Sequence, residues 1–255
     1  VAAAITPRRR ELVAPDGTRA RVRPWPDLEA TAQLAVLAGP HGTIPASTLR
    51  GWLDLLRDDG WRVVRTGALA RLPRQVFEQQ GFEVCQELAL LRLDLVATPA
   101  RPPRGTVRVV RAHGARRHRR AALEQAAAVD AAAFGPGWRM EVDGIVDAAA
   151  ATPAHRIGTV DEHGTVVAYA IAGRAGREGF LQRLAVRPDR QGQGLGRTLV
   201  LDALRWLRRR GAVSVLVNTH VDNAVALALY ADLGFRRLPD GLVVLERHLD
   251  TGSRA

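Results

Sequence analysis

The chain has 255 residues, 47% of them apolar, enough to bury one large or two small cores, and no apolar run reaches the length of a membrane span. Its formal charge of +11 rests on 37 basic residues, all arginine, a set that reads as coding bias towards GC-rich codons and implies no nucleic-acid partner. One cysteine excludes an internal disulfide framework, and Val1 to Arg10 lack a signal-peptide core, so a reducing cytoplasm is the expected compartment.

From the N-terminus, the glycine-bearing loop Gly39-Pro40-His41-Gly42-Thr43 precedes an amphipathic helix at 49–60, closed by glycine. Trp61-Arg62-Val63-Val64 reads as a strand and 72–80 as a helix. Gly81-Phe82 then leads into a strand-like run, where Cys85 reads as a small core residue. The segment Ala97-Thr98-Pro99-Ala100-Arg101-Pro102-Pro103-Arg104-Gly105 carries three prolines, which oppose helix and central strand alike, and is expected to be a semi-rigid linker. The expected division is 1–99, a linker at 100–105, and 106–250.

Past the linker the pattern predicts a strand at 107–110, helices at 117–133 and 141–150, a hairpin of strands 155–161 and 166–174, and a strand at 180–186. A helix at 194–210 follows, with Leu199, Val200, Ala203, Leu204 and Leu207 on one face. A strand at 214–218, a helix at 224–233 and two strands ending near Leu249 complete the order. The basic run Arg208-Arg209-Arg210 suits a helix C-terminus, whereas Arg116-Arg117-His118-Arg119-Arg120 reads as a solvated face. The first half repeats this ending faintly. Gly60 stands like Gly211, and Phe77 precedes Gly81-Phe82 as Tyr230 precedes Gly234-Phe235. It reads as a degenerate copy, with an unrelated small α+β domain as the alternative.

The most informative stretch runs from Leu184 to Thr198. An apolar strand ends at Val186, a loop with glycines at 192, 194 and 196 follows, and a helix opens near Gly194. Free amides at the positive end of a helix dipole form an anion cradle, and glycine lets a phosphate approach the backbone. Gln191-Gly192-Gln193-Gly194-Leu195-Gly196 resembles the Q/R-x-x-G-x-G/A loop of the GNAT superfamily of N-acetyltransferases. Asn223 to Phe235 resembles that family's N-x-x-A-x-x-x-Y-x-x-x-G-F helix. No Gly-Lys-Ser/Thr follows as in a P-loop, and the spacing is not that of a dinucleotide-binding fold.

The resemblance spans about residues 105–249. It implies a mixed α/β fold whose central sheet splays between its fourth and fifth strands, preceded here by a truncated half domain of the same kind. Tandem members such as mycothiol synthase are laid out similarly. It also implies acetyl-CoA as acyl donor, held by Leu184, Val186, Gln191, Gly192, Gln193, Gly194, Gly196, Arg197, Thr198 and Asn223, the last of which can also cap its helix. The first half lacks the loop pattern, and Phe77 lacks a hydroxyl, so it is not expected to bind acetyl-CoA.

By resemblance Tyr230 takes the role of general acid towards the departing thiolate; the alternative is a half-buried aromatic with a satisfied hydroxyl. The general base stays open between Glu178, His220 and a water relay. Bacterial enzymes that acetylate ribosomal-protein N-termini carry a glutamate where Asn218 stands here. Phe134-Gly135-Pro136-Gly137-Trp138 resembles an acceptor-side turn of those enzymes, and Arg183 stands either as an acceptor contact or on the opposite strand face. No residue set points to a metal. The leading reading is an N-acetyltransferase acting on a small-molecule amine or a protein N-terminus. A non-catalytic acyl-CoA sensor or scaffold is the alternative, disfavoured by the retained Tyr230, and RNA binding has no recognised module and few stacking aromatics, at 5%.

Overall fold

The computed structural model describes residues 10–38, 44–103, 105–110 and 116–249. In chain order its first elements are β1 (Arg10–Val13), β2 (Arg19–Pro24), β3 (Thr31–Ala38), α1 (Ala46–Asp58), β4 (Val63–Thr66), α2 (Arg71–Glu78) and β5 (Glu83–Asp94). There follow β6 (Arg108–Val110), α3 (Arg116–Ala133), α4 (Val142–Ala150), β7 (Ala154–Glu162), β8 (Thr165–Ala175) and β9 (Glu178–Val186). The last are α5 (Leu195–Arg209), β10 (Ser214–His220), α6 (Ala224–Asp232), β11 (Arg236–Arg237) and β12 (Leu242–His248). They form two compact units, residues 1–89 with 239–255, and residues 90–238.

In the first unit the strand order is β1-β2-β3-β4-β12-β5. Strands β3 and β4 are parallel, and β12 lies antiparallel to β4 and to the first part of β5. The core gathers Leu34, Leu49, Leu56, Val64, Phe77 and Leu245. Strands β1 to β3 were not anticipated from sequence: β1 and β2 are short and interleave apolar residues with arginines, and β3 is an alanine-rich run without a strand's β-branched pattern. The loop at 39–43 lies outside the described residues. Cys85, expected in a core, is exposed instead, with its Sγ against the Val244 carbonyl at 3.4 Å.

The second unit places the end of β5 between β11 and β10, and continues β10-β9-β8-β7-β6. Helices α3 and α4 cover one face, through Leu123, Ala126, Val129, Ile145, Ala149, Tyr169 and Ile171. Helix α5 buries Leu199, Val200, Ala203, Leu204 and Leu207, the stripe expected from its spacing. It lies so close to β9 that a Cβ at Gly179 would stand 2.9 Å from Leu207 Cδ1.

The two units repeat a turn chemistry. After α1, Gly60 has φ 88° and Trp61 N–H donates to the Leu56 carbonyl; after α5, Gly211 has φ 80° and Ala212 N–H donates to the Leu207 carbonyl. The same pattern links Phe82 to Phe77 and Phe235 to Tyr230, whose ring pairs stand 5.2 and 5.5 Å apart. Each is a helix end at which a left-handed glycine returns orphan carbonyls to the chain.

The compact units divide the chain after residues 89 and 238, whereas the expected division lay at 99 and 106. Strand β12 closes the first unit, and residues 90–94 of β5 lie beside β10 and β11 in the second. The proline-bearing segment is no spacer between the units. Arg208 on α5 donates to the Leu95 and Thr98 carbonyls, and Leu95 N–H to the Val213 carbonyl, tying it into the second unit.

Strand β9 carries the feature that shapes the site. Its register against β8 slips between Ile171, opposite Arg183, and Ala172, opposite Leu181, so Gln182 is an extra residue, a β-bulge. Parallel pairing with β10 runs from Glu178 beside Ser214 to Leu181 beside Val217 and ends there. A bulge bends its strand and inverts the facing of everything beyond it. Here β9 and β10 part at the bulge, giving the splay expected between the fourth and fifth strands.

Candidate active site

The loop after β9 is held in shape by its own charges. A 3-10 turn at Pro188–Arg190 is fastened by Arg187 on the Asp189 carboxylate at 2.8 and 3.0 Å and by Arg190 on Glu162 at 2.8 Å. Gln191 Nε2 donates to the Val186 carbonyl at 3.2 Å. Gly192 and Gly194 then take φ of 75° and 80°, and a Cβ at either would meet nothing within 4 Å, so the loop opens onto free space. Gly194 caps α5 without any side-chain hydrogen bond. Among the described residues no acceptor takes the N–H groups of Gly192, Gln193 or Gly194. The first intrahelical bond, Thr198 N–H to the Gly194 carbonyl, begins only after them. Orphan amides at the start of a 15-residue helix are what an anion requires.

The neighbouring arginines contribute less than their number suggests, since Arg187 and Arg190 are paired as above and Arg197 pairs with Asp232 on α6. The Arg197 guanidinium holds the Asp232 carboxyl below the usual carboxylate range. The positive character of the loop therefore rests on backbone and helix dipole. Thr198 is buried at 4% exposure, and its amide donates to the Gly194 carbonyl within the helix.

Leu184 and Val186 converge on the same helix start. A Cβ at Gly196 would lie 3.6 Å from Leu229, 3.7 Å from Val186 and 3.8 Å from Leu184, in ordinary van der Waals contact, so β9, α5 and α6 converge there. Helix α6 begins at Asn223, whose Oδ1 accepts from Ala226 N–H at 3.1 Å, which makes the capping role explicit. Two turns on, Tyr230 is buried at 4% exposure and its hydroxyl has no hydrogen-bond partner among the described residues. Burial pushes its phenol pKa far up, so it stays protonated across the neutral range. It is neither half-buried nor satisfied.

Glu178 is not brought to this site. It stands where β9 and β10 are still paired, accepts from Ser214 Oγ at 2.6 Å, and lies roughly 26 Å of strand from Val186. Asn218 and His220 follow the last paired position, Val217, and so border the splay. Asp222 N–H points at His220 Nδ1 at 3.2 Å. The Asp222 carboxylate lies 3.5 Å from the same Nδ1, so a ring that keeps its proton on Nδ1 has Nε2 free to accept one.

Arg183 is not free for an acceptor carboxylate. The bulge turns it towards α3, where it forks onto Asp130 at 2.8 Å by two nitrogens and donates to the Trp138 carbonyl at 2.7 Å. Trp138 thus fixes the turn to β9 through its backbone. Asp130 was missed from sequence, although its position seven residues after Leu123 puts it on the apolar face of α3, where a lone acid is a signal. Among the described residues no cluster suits a metal, and no helix is long and apolar enough to cross a membrane.

Residues 123–235 match the Acetyltransferase (GNAT) family. A mycothiol acetyltransferase of Amycolatopsis mediterranei is 44% identical over 77 residues, 29% of this chain and 26% of that protein. The [Ribosomal protein bS18]-alanine N-acetyltransferase of Escherichia coli is 39% identical over 74 residues, 29% of this chain and 50% of the relative. The chain thus matches between about a quarter and a half of these relatives' length. The solved tandem GNAT protein from the clavulanic acid biosynthesis pathway superposes with a TM-score of 0.61 over 92% of this chain and 80% of its own, at 15% identity. That likeness is one of fold.

Proposed function

We propose, from residues 123–235 as a GNAT-family acetyltransferase domain, that this chain transfers an acetyl group from acetyl-CoA to a primary amine. The observation that carries the reading is the open row of amides at the start of α5 beside the parting of β9 from β10. The residues present suit the donor. Gly192 to Arg197 offer amides to a pyrophosphate, and the β9 edge beyond Leu181, without a strand partner, offers backbone groups to an amide-bearing arm. Acetyl-CoA supplies the thioester that is attacked and the thiolate that leaves.

Tyr230, neutral and unpartnered, provides a proton for that thiolate. Glu178 does not reach the cleft, and the amine proton passes to water there or to His220 Nε2, whose Nδ1 faces the Asp222 carboxylate. The acceptor class follows the relatives only this far, a small-molecule amine or a protein N-terminus. The first unit, which has no described helices before β3 comparable to α3 and α4, is read as the truncated copy, without a donor site of its own. The test is calorimetry of the full chain with acetyl-CoA, followed by thiol release across a panel of amines and N-terminal peptides. Saturable binding with release on at least one acceptor is expected. A folded chain that binds no acetyl-CoA would sink the reading.

A further inference from the structure

We propose that the buried Asp130–Arg183 pair is the register lock of β9, holding the bulge at Gln182 and so keeping β9 apart from β10 for the donor. This rests on the cleft beyond Leu181 being the acetyl-CoA site. Asp130 has 0% exposure and collects four donors: two Arg183 nitrogens at 2.8 Å, the Tyr169 hydroxyl at 2.5 Å and the Met140 N–H. Arg183 spends a further N–H on the Trp138 carbonyl and lies 3.5 Å over the Phe134 ring. Its guanidinium is thereby held from α3, from the turn after it and, through Asp130, from β8.

Gly179 faces α5 at Leu207, and Leu181 shares that parity. Were β9 unbulged, Arg183 would follow them onto the same apolar surface, and Asp130 would remain buried without its cation. A buried carboxylate stripped of its partner is strongly unfavourable, whereas an intact buried pair adds little net stability and serves best to select one register. The pair therefore excludes the unslipped register, and with it the continuation of β10 pairing past Leu181. The same slip puts Leu184 and Val186 on the side of Gly196. Asp130 and Arg183 are positioning residues. Their effect on the donor passes through the backbone of β9.

The full-length chain tests this with two variants. In the double variant Asp130→Leu/Arg183→Leu an apolar pair replaces the ions, a change that usually spares stability. It is expected to melt cooperatively near the parent, yet to bind acetyl-CoA weaker by about tenfold or more, as misplacement of a binding edge does. Arg183→Lys keeps the charge but cannot fork between Asp130 and Trp138, and should weaken binding while remaining folded. Amide hydrogen exchange at 182–186 reads the lock without ligand, and should slow in the double variant as β10 pairing runs on. Unchanged exchange, or parental affinity in either folded variant, overturns the lock. If the double variant does not fold, Arg183→Lys decides alone. A parent chain that binds no acetyl-CoA overturns the functional reading instead, and the exchange measurement still judges the lock.

Discussion

At the scale of single residues, the proposed site divides into groups assigned to holding the donor and one, Tyr230, assigned to the chemistry. Tyr230→Phe keeps the buried ring and its packing on Phe235 while deleting the hydroxyl. Loss of a general acid is expected to lower kcat by about 10²- to 10⁴-fold with little change in acetyl-CoA affinity; stopped-flow or thiol-release kinetics distinguish this from a loss of stability. His220→Gln separates the two routes for the amine proton: a fall in kcat of about 10²-fold or more assigns it to His220, and turnover within about twofold assigns it to water. Burial raises the pKa of Tyr230, and of Tyr169 likewise, above the ordinary phenol value. A phenol harder to ionise folded than unfolded keeps its stabilising share below the unfolded pKa and loses it as pH climbs beyond. Urea midpoints should therefore fall above about pH 10, and less so in Tyr230→Phe.

At the scale of elements, closeness is bought by missing side chains. Gly179 lets α5 lie against β9, and a Cβ there would stand 2.9 Å from Leu207 and 3.2 Å from the Ser214 carbonyl, a backbone atom that cannot swing aside. Gly179→Ala is expected to cost about 1–3 kcal/mol by overpacking, measured by denaturant titration; full stability would show that α5 has room to spare. The strand on which Gly179 sits was legible as a strand, but its bulge was not. Nothing in Phe180-Leu181-Gln182-Arg183 departs from a half-buried strand pattern. The slip follows from Arg183 meeting a carboxylate on α3, far away in the chain.

At the scale of the whole molecule, the first unit is completed by β12 from the far end of the sequence, and the second begins within β5. A chain begun at residue 105 would lack Leu90–Asp94, the segment between β10 and β11. It is expected to show no cooperative melt, whereas residues 83–238 should fold and bind acetyl-CoA; scanning calorimetry of the two decides it, and equal behaviour would discount the strand. The sequence by itself determined the loop from Gln191 to Gly196, the helix opening it, Tyr230 and the repeated glycine turns, because these depend on neighbours a few residues apart. Only the tertiary structure decided that Glu178 lies far from the cleft, that Arg183 is spoken for by Asp130, and that β5 and β12 cross the expected domain boundary. Those outcomes depend on register and on partners distant in the chain, which local periodicity does not record.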